Sequence, residues 1–149
     1  MVAVDYPDPR AVIVEDNGAS GICSLLTIRR RAPNMLVSFA IAVTYPTPSA
    51  WAVDTNPDYY TGFSYHLTYI RDATVEFTFT GTEVWFYADK NLDHGFFSAV
   101  IDDGEPIVVN GFGELTSHII LFTAKVSPGR HTLTLKNLEA KALGIDYFA

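Results

Sequence analysis

The chain has 149 residues, 48% hydrophobic and 18% charged, and its seventeen acidic and ten basic side chains give a net charge of −7. That length suits one domain, read as 1–149, able to bury a full core without metal or disulfide staples, and the composition excludes disorder. The acidic balance excludes a nucleic-acid partner, since phosphate-backbone affinity comes mainly from Lys and Arg, and it suits neutral partners and cations.

Residues 1–10 carry two prolines and two aspartates and read as an extended lead-in, too polar for a signal peptide. Ala11–Val14 is the first expected strand, closed by Glu15-Asp16-Asn17-Gly18. Strands at 22–28 and 35–43 follow, joined through Arg29–Asn34. The single cysteine, Cys23, excludes an intramolecular disulfide, and its apolar neighbours make it a buried thiol. Met35–Val43 is the longest apolar run. At nine residues it falls far below the ~20 of a membrane span, so it reads as a buried strand and no membrane span is expected. Arg29, Arg30 and Arg31 cannot be buried unpaired, because each desolvated charge costs several kcal/mol. The expectation is a hairpin with its apolar face on the core and an Arg-rich connection in solvent.

Tyr45-Pro-Thr-Pro-Ser49 punctuates the chain, and 50–64 reads as a long loop bearing Trp51, Tyr59, Tyr60 and Phe63, of a length often given to function. Beyond it, short strands are expected at 65–70, 74–80, 83–88, 96–101, 105–109, 118–124, 130–136 and 143–148. Turns fall at Gly81-Thr82, Asn91–Gly95, Asp102-Asp103-Gly104, Asn110-Gly111 and Ser127-Pro128-Gly129. Thr74–Thr80 and Arg130–Lys136 alternate apolar and polar residues with period 2, the pattern of half-buried antiparallel strands. The fold class is therefore all-β, an antiparallel β-sandwich of jelly-roll type. Its expected core is Val75, Phe77, Phe79, Val84, Phe86, Ile101, Leu121, Leu133, Leu135 and Ile145.

Catalytic and metal patterns are absent. His66, His94, His118 and His131 form no zinc motif, and no Gly-x-Ser-x-Gly elbow occurs. Asp102-Asp103-Gly104-Glu105 admits a calcium corner, but its spacing lacks the alternating ligands of a calcium loop. A β-turn with Gly104 at positive φ reads better, so no cofactor is expected. Asp146, between Ile145 and Tyr147, is an inward charge that needs a hydrogen-bond partner.

Phe79-Thr80-Gly81-Thr82-Glu83-Val84-Trp85-Phe86-Tyr87, then Gly95 through Asp102-Asp103-Gly104, Leu121-Phe122, Gly129–Leu135 and Ile145-Asp146-Tyr147 form an ordered series. It resembles the galactose-binding-domain-like β-sandwiches, close to carbohydrate-binding modules, of fungal surface and secreted proteins. The resemblance covers 60–147 and, loosely, 4–14; residues 18–50 depart from the family pattern. It implies a non-catalytic, lectin-like module whose partner is a glycan or cell-surface polysaccharide. It also implies an extracellular or cell-surface location, although the lack of a signal peptide leaves the cytoplasm open.

Sugars stack their C–H faces on Trp and Tyr and hydrogen-bond to Asp, Asn and His. The candidate ligand residues are accordingly Trp51, Tyr59 and Tyr60 in the long loop, Trp85 and Tyr87 on one strand face, and Asp89, Asn91 and His94 beyond it. No catalytic residue and no metal ligand is assigned. The alternative function is a protein-interaction domain that forms a homo-oligomer if the 35–43 strand lies at a sheet edge. A glycan-active hydrolase ranks third and needs two close carboxylates in one cleft.

Overall fold

The computed structural model describes residues 12–13, 22–32, 35–54 and 65–149, with side chains from 42 onward apart from 55–64. The strands are β1 (Val12–Ile13), β2 (Ile22–Ala32), β3 (Met35–Thr44), β4 (Ala52–Asp54), β5 (Tyr65–Thr68), β6 (Thr74–Lys90), β7 (Phe96–Ile101), β8 (Ile107–Asn110), β9 (Thr116–Asn137), β10 (Leu143–Ile145) and β11 (Tyr147–Phe148). All pairings between these strands are antiparallel. One sheet runs β1-β11-β6-β9-β7-β8, with β3 also on β6 and β2 on β3; a smaller one runs β10-β5-β4.

The fold is organised by the two longest strands. β6 and β9 pair from Thr74↔Lys136 to Lys90↔Thr116. Straight strand rises about 3.3 Å per residue, so the nine residues from Phe77 to Phe86 would span roughly 30 Å. Yet Phe148, whose ladder partner is Phe86, stacks on Phe77 with ring centroids 4.4 Å apart. The pair must therefore fold over. It does so where Gly81↔Gly129 gives way to Glu83↔Lys125, with one residue on β6 facing three on β9. Beyond this corner the buried set changes from odd to even numbers on β6, from Val75, Phe77 and Phe79 to Val84, Phe86 and Ala88. The same face thus stays inward on both layers. Phe86 meets Phe97 edge-on at 5.7 Å across the interior.

The expected turns at 81–82 and 127–129 are corrected by this finding. They are irregularities within two continuous strands. Gly and Pro mark bulges as well as turns, and Pro128 lacks the N–H that an unbroken ladder would require. Eight of the ten expected core residues are buried; Ile101 and Leu121 are half-buried against that cluster.

The hairpin expected in the 18–49 segment forms, β2 pairing with β3 from Ile22↔Thr44 to Ala32↔Met35. Its arginines lie within the ladder, opposite Leu36, Val37 and Ser38, rather than in the connection. Each added pair satisfies backbone donors and acceptors, which favours running the ladder to the end. β3 also bonds β6 through Ala42–Thr44. Along 42–44 it therefore has partners on two sides, while 35–41 is paired with β2 alone. Part of the expected long loop is strand: β4 pairs with β5. A single 3₁₀ turn, Pro48–Ala50, precedes it, and the Thr68 hydroxyl donates to the Ala50 carbonyl at 2.7 Å.

Candidate functional site

At the far end of the β6–β9 pair the ladder breaks again. Between Ala88↔Ile119 and Lys90↔Thr116 it holds one residue on β6, Asp89, against two on β9, Ser117 and His118. Two residues opposite one form a β-bulge, which bends the strand and re-aims side chains. His118 adopts φ 55°, a left-handed conformation for which His, with Asn and Asp, is enriched among non-glycine residues. Beside the bulge lies a cleft of about 230 Å³ lined by Tyr65, Ala88, Asp89, Asn91, Leu115, Ser117, His118 and Asp146.

Four separate segments build this wall, and hydrogen bonds fix it. β5 brings Tyr65, whose hydroxyl donates to the Asp89 carboxylate and lies 3.3 Å from His94 Nε2. His94, buried behind the cleft, stands between two carboxylates: Nε2 is 3.5 Å from Asp89 Oδ1 and Nδ1 is 2.9 Å from Asp93 Oδ1. The Tyr69 hydroxyl donates to Asp93 Oδ2 at 2.7 Å. The 91–95 turn that carries His94 is itself tied down, since Ala142 N donates to the Asp93 carbonyl and Gly95 N to the Ala142 carbonyl. On the opposite wall Asp146, only 3% exposed, pairs with His118 Nδ1 at 2.9 Å.

Burial alone would make the His94 imidazole harder to protonate, but the hydrogen bond and charge of Asp89, then those of Asp93, outweigh it and raise its pKa. Burial likewise pushes Asp89 up, and the bonds from His94 and Tyr65 overcome it, leaving the carboxyl below its ordinary value. Asp93 is lowered on the same pattern, with Tyr69 and His94 as donors. Asp89 thus lines the cleft as a carboxylate held below its ordinary value that already accepts bonds from Tyr65 and His94.

The residues singled out in the sequence divide sharply. Asp89 and Asn91 line the cleft, and His94 lies behind Asp89. Tyr59 and Tyr60 fall outside the described residues. Trp51 is half-buried against the core, its ring 4.9 Å from that of Tyr45. Trp85 and Tyr87 alternate with the buried Val84 and Phe86, so they face away from the core and are half-buried. Tyr87 stacks on Tyr147 at 4.4 Å, and neither Trp85 nor Tyr87 lines the cleft. Sequence reasoning missed Tyr65, Ser117 and His118 as site residues. Asp146, read as needing a partner, has one in His118 and also lines the cleft. The Asp102 segment is a turn, as expected, but the positive φ of 52° belongs to Asp102 rather than Gly104. Its carboxylate accepts from Thr132 N and pairs with His131 Nδ1. Among the described residues no group of three His, Cys, Asp or Glu is arranged to hold a metal, and no helix is long and apolar enough to cross a membrane.

The CBM35 of Cellvibrio japonicus Abf62 matches this structure with a TM-score of 0.52 at 19% identity, over 72% of this chain and 90% of that one. The fold is an antiparallel β-sandwich like that of this carbohydrate-binding module. The Podospora anserina GH26-CBM35 β-(1,4)-mannanase has a TM-score of 0.49 at 15% identity, over 72% of this chain and 26% of that one. In sequence, the chain is 30% identical over 101 residues to an A type blood N-acetyl-α-D-galactosamine deacetylase of Flavonifractor plautii. That match covers 67% of this chain and 13% of the enzyme. No family model matches the chain.

Proposed function

We propose that the chain is a non-catalytic carbohydrate-binding module that receives its glycan in the bulge cleft, outside the cell or at its surface. The observation that carries this reading is the cleft itself. It joins apolar surface from Ala88 and Leu115 to the polar groups of Tyr65, Asp89, Asn91, Ser117, His118 and Asp146. Convergent polar groups on an apolar pocket suit a ligand with both C–H faces and hydroxyls. The shared fold supports the reading. So does the deacetylase relative, whose name gives it a glycan substrate and of which this chain matches a small part, as an accessory module would.

Asp89 and Asp146 line one cleft, which is the observation that favours a second reading, glycoside hydrolysis. Asp89, held below its ordinary value, is unsuited to be the general acid that such chemistry needs, and the shared fold is that of a binding module. Binding is the better reading. A glycan array followed by titration calorimetry tests it. Asn91→Ala and Ser117→Ala are expected to weaken binding at least fivefold with the fold intact. Trp85→Ala, outside the lining, should change affinity less than twofold. Sugar release by the wild type would favour hydrolysis, and an array with no binding would end the glycan reading.

A further inference from the structure

We infer that the loop beside the cleft adds a second subsite, in which the Phe112 ring stacks on the sugar next to the one in the cleft; this rests on the glycan reading above. The module then takes an oligosaccharide rather than a lone sugar. Three side chains near the cleft are apolar and exposed, Leu92 and Leu115 at 67% and Phe112 at 48%. Scattered exposed apolar residues are ordinary, but these sit on two loops that Asn91 locks together. Asn91 N donates to the Gly111 carbonyl and Gly113 N to the Asn91 carbonyl, both at 3.3 Å. These bonds pair Asn91 with Phe112 as a parallel bridge. Residues paired in this way lie about 4.8 Å apart and turn their side chains to one face. Asn91 lines the cleft, and so does Leu115, farther along the same loop as Phe112. The Phe112 ring is thus set beside the cleft, just outside its lining.

The loop that carries the ring is held in place as well. Phe112 N donates to Asn110 Oδ1 at 2.9 Å, and Leu92 N donates to Asn91 Oδ1 at 2.8 Å. A ring on a loop fixed in advance loses little freedom when a ligand stacks on it. Its apolar face suits the C–H face of a sugar. Lys141 Nζ stands 5.9 Å from the ring centroid and is half exposed, so a hydrogen-bond donor for sugar hydroxyls lies close by. The cleft volume supplies the need for such a platform. About 230 Å³ lies below the ~300–1,000 Å³ of pockets for drug-sized ligands, room for about one sugar ring. The next residue of a glycan chain must therefore leave over the rim, where Phe112 gives it an aromatic face. A protein partner fits this patch less well. Standard interfaces engage roughly 20–30 residues a side, and here three apolar side chains are interrupted by Asn91 and Glu114.

The test is an NMR titration of the intact chain with the methyl glycosides of glucose, galactose, mannose and N-acetylgalactosamine, each beside its α- and β-1,4-linked disaccharide. Any glycan bound on the array is compared in the same way with its own terminal monosaccharide. The bound disaccharide is expected to be at least tenfold tighter than its monosaccharide and to shift the Phe112 ring resonances, which the monosaccharide leaves in place. Phe112→Ala should bring the disaccharide to within twofold of the monosaccharide, and Phe112→Trp should keep the gain. The wild-type affinities and ring shifts decide the matter alone if a variant fails to fold. Equal affinity for one ring and two, a gain that survives Phe112→Ala, or an unshifted ring overturns the inference and leaves the glycan reading standing. So does a dimer, seen by light scattering of the free chain, that Phe112→Ala dissociates, since the patch would then be a protein interface. No binding by any of these sugars or on the glycan array removes both readings.

Discussion

The β6–β9 pair shifts register at three places, and two of them, the corner and the cleft, are built in opposite ways. At the corner, Gly81 and Gly129 face each other and Pro128 supplies a residue without a donor. At the cleft, Asp89 stands against Ser117 and His118, and a histidine rather than a glycine takes the left-handed φ. The corner bulge removes side chains so that the sandwich can close. The cleft bulge keeps them and aims them. A non-glycine residue in that conformation is destabilising by roughly 1–2 kcal/mol, and such strain persists where its surroundings hold it, commonly at functional sites. Here the His118–Asp146 pair does the holding.

The largest test of this contrast lies at Gly144 on β10. A Cβ there would overlap the Tyr65 phenol, starting with its hydroxyl. Gly144→Ala must therefore eject the ring that donates to Asp89. Overpacking of this kind destabilises by about 1–3 kcal/mol, and losing a hydrogen bond to a charged group adds about 1.5–3. We expect a fall in melting temperature on the order of 10 °C together with loss of ligand binding. Adding Tyr65→Ala should recover part of the stability but not the binding, because the double variant removes the clash and still lacks the hydroxyl. A Gly144→Ala protein that melts and binds like wild type would show that Tyr65 does not hold the cleft.

How much of this was legible in the sequence follows from the same contrast. Period-2 alternation in Thr74–Thr80 and Arg130–Lys136 depends on one strand at a time, so the core was readable from Val75 to Leu135. A bulge is a property of two strands in register. Nothing near Ser117 or His118 announces that together they oppose Asp89. At the corner, glycine and proline gave a visible signal that suggested the wrong object, a turn. Asp89, Asn91 and His94 were found through the polarity of one segment. Tyr65, Ser117 and His118 come from elsewhere in the chain, and pairing alone brings them to the cleft. Of the aromatic rings within the described residues, Trp85 and Tyr87 share a strand face but do not line the cleft, and Trp51 packs on Tyr45.

The second test is electrostatic. His94 is raised above the ordinary 6.5, so its ion pairs stabilise the fold fully below that value and are lost as pH rises through the folded pKa. Asp89 and Asp93 are lowered below 3.8. Their contribution is present above that value and is lost as pH falls through the folded pKa. Stability should therefore plateau between the two ordinary values and decline on both sides. His131, near the corner, is also raised by Asp102 and then by the Ser127 carbonyl, but Asp102 is 47% exposed and solvent screens that pair. Urea midpoints measured from pH 4 to 9 should lose most of their alkaline decline in His94→Gln and little of it in His131→Gln. The reverse ranking would mean that the buried cluster is not what titrates.

The smallest effect is the sharpest comparison, because the two bulges predict opposite signs for one exchange. At His118 the exchange is made between two variants, His118→Ala and His118→Gly, both of which lack the imidazole and its bond to Asp146. They differ only in whether a Cβ must occupy φ 55°, so the glycine variant should be the more stable by about 1 kcal/mol. At the corner, neither Gly81 nor Gly129 has a left-handed φ. A Cβ at Gly81 would lie 3.9 Å from its nearest neighbours, and one at Gly129 would lie 3.5 Å from His131 Nε2. Both are ordinary contacts. Gly81→Ala and Gly129→Ala should therefore be neutral or stabilising by up to about 1 kcal/mol, through reduced freedom of the unfolded chain. Chemical denaturation of the four variants resolves differences of this size. Alanine favoured over glycine at His118 would remove the strain assigned to the cleft bulge, and glycine strongly required at 81 or 129 would make the corner a true turn after all.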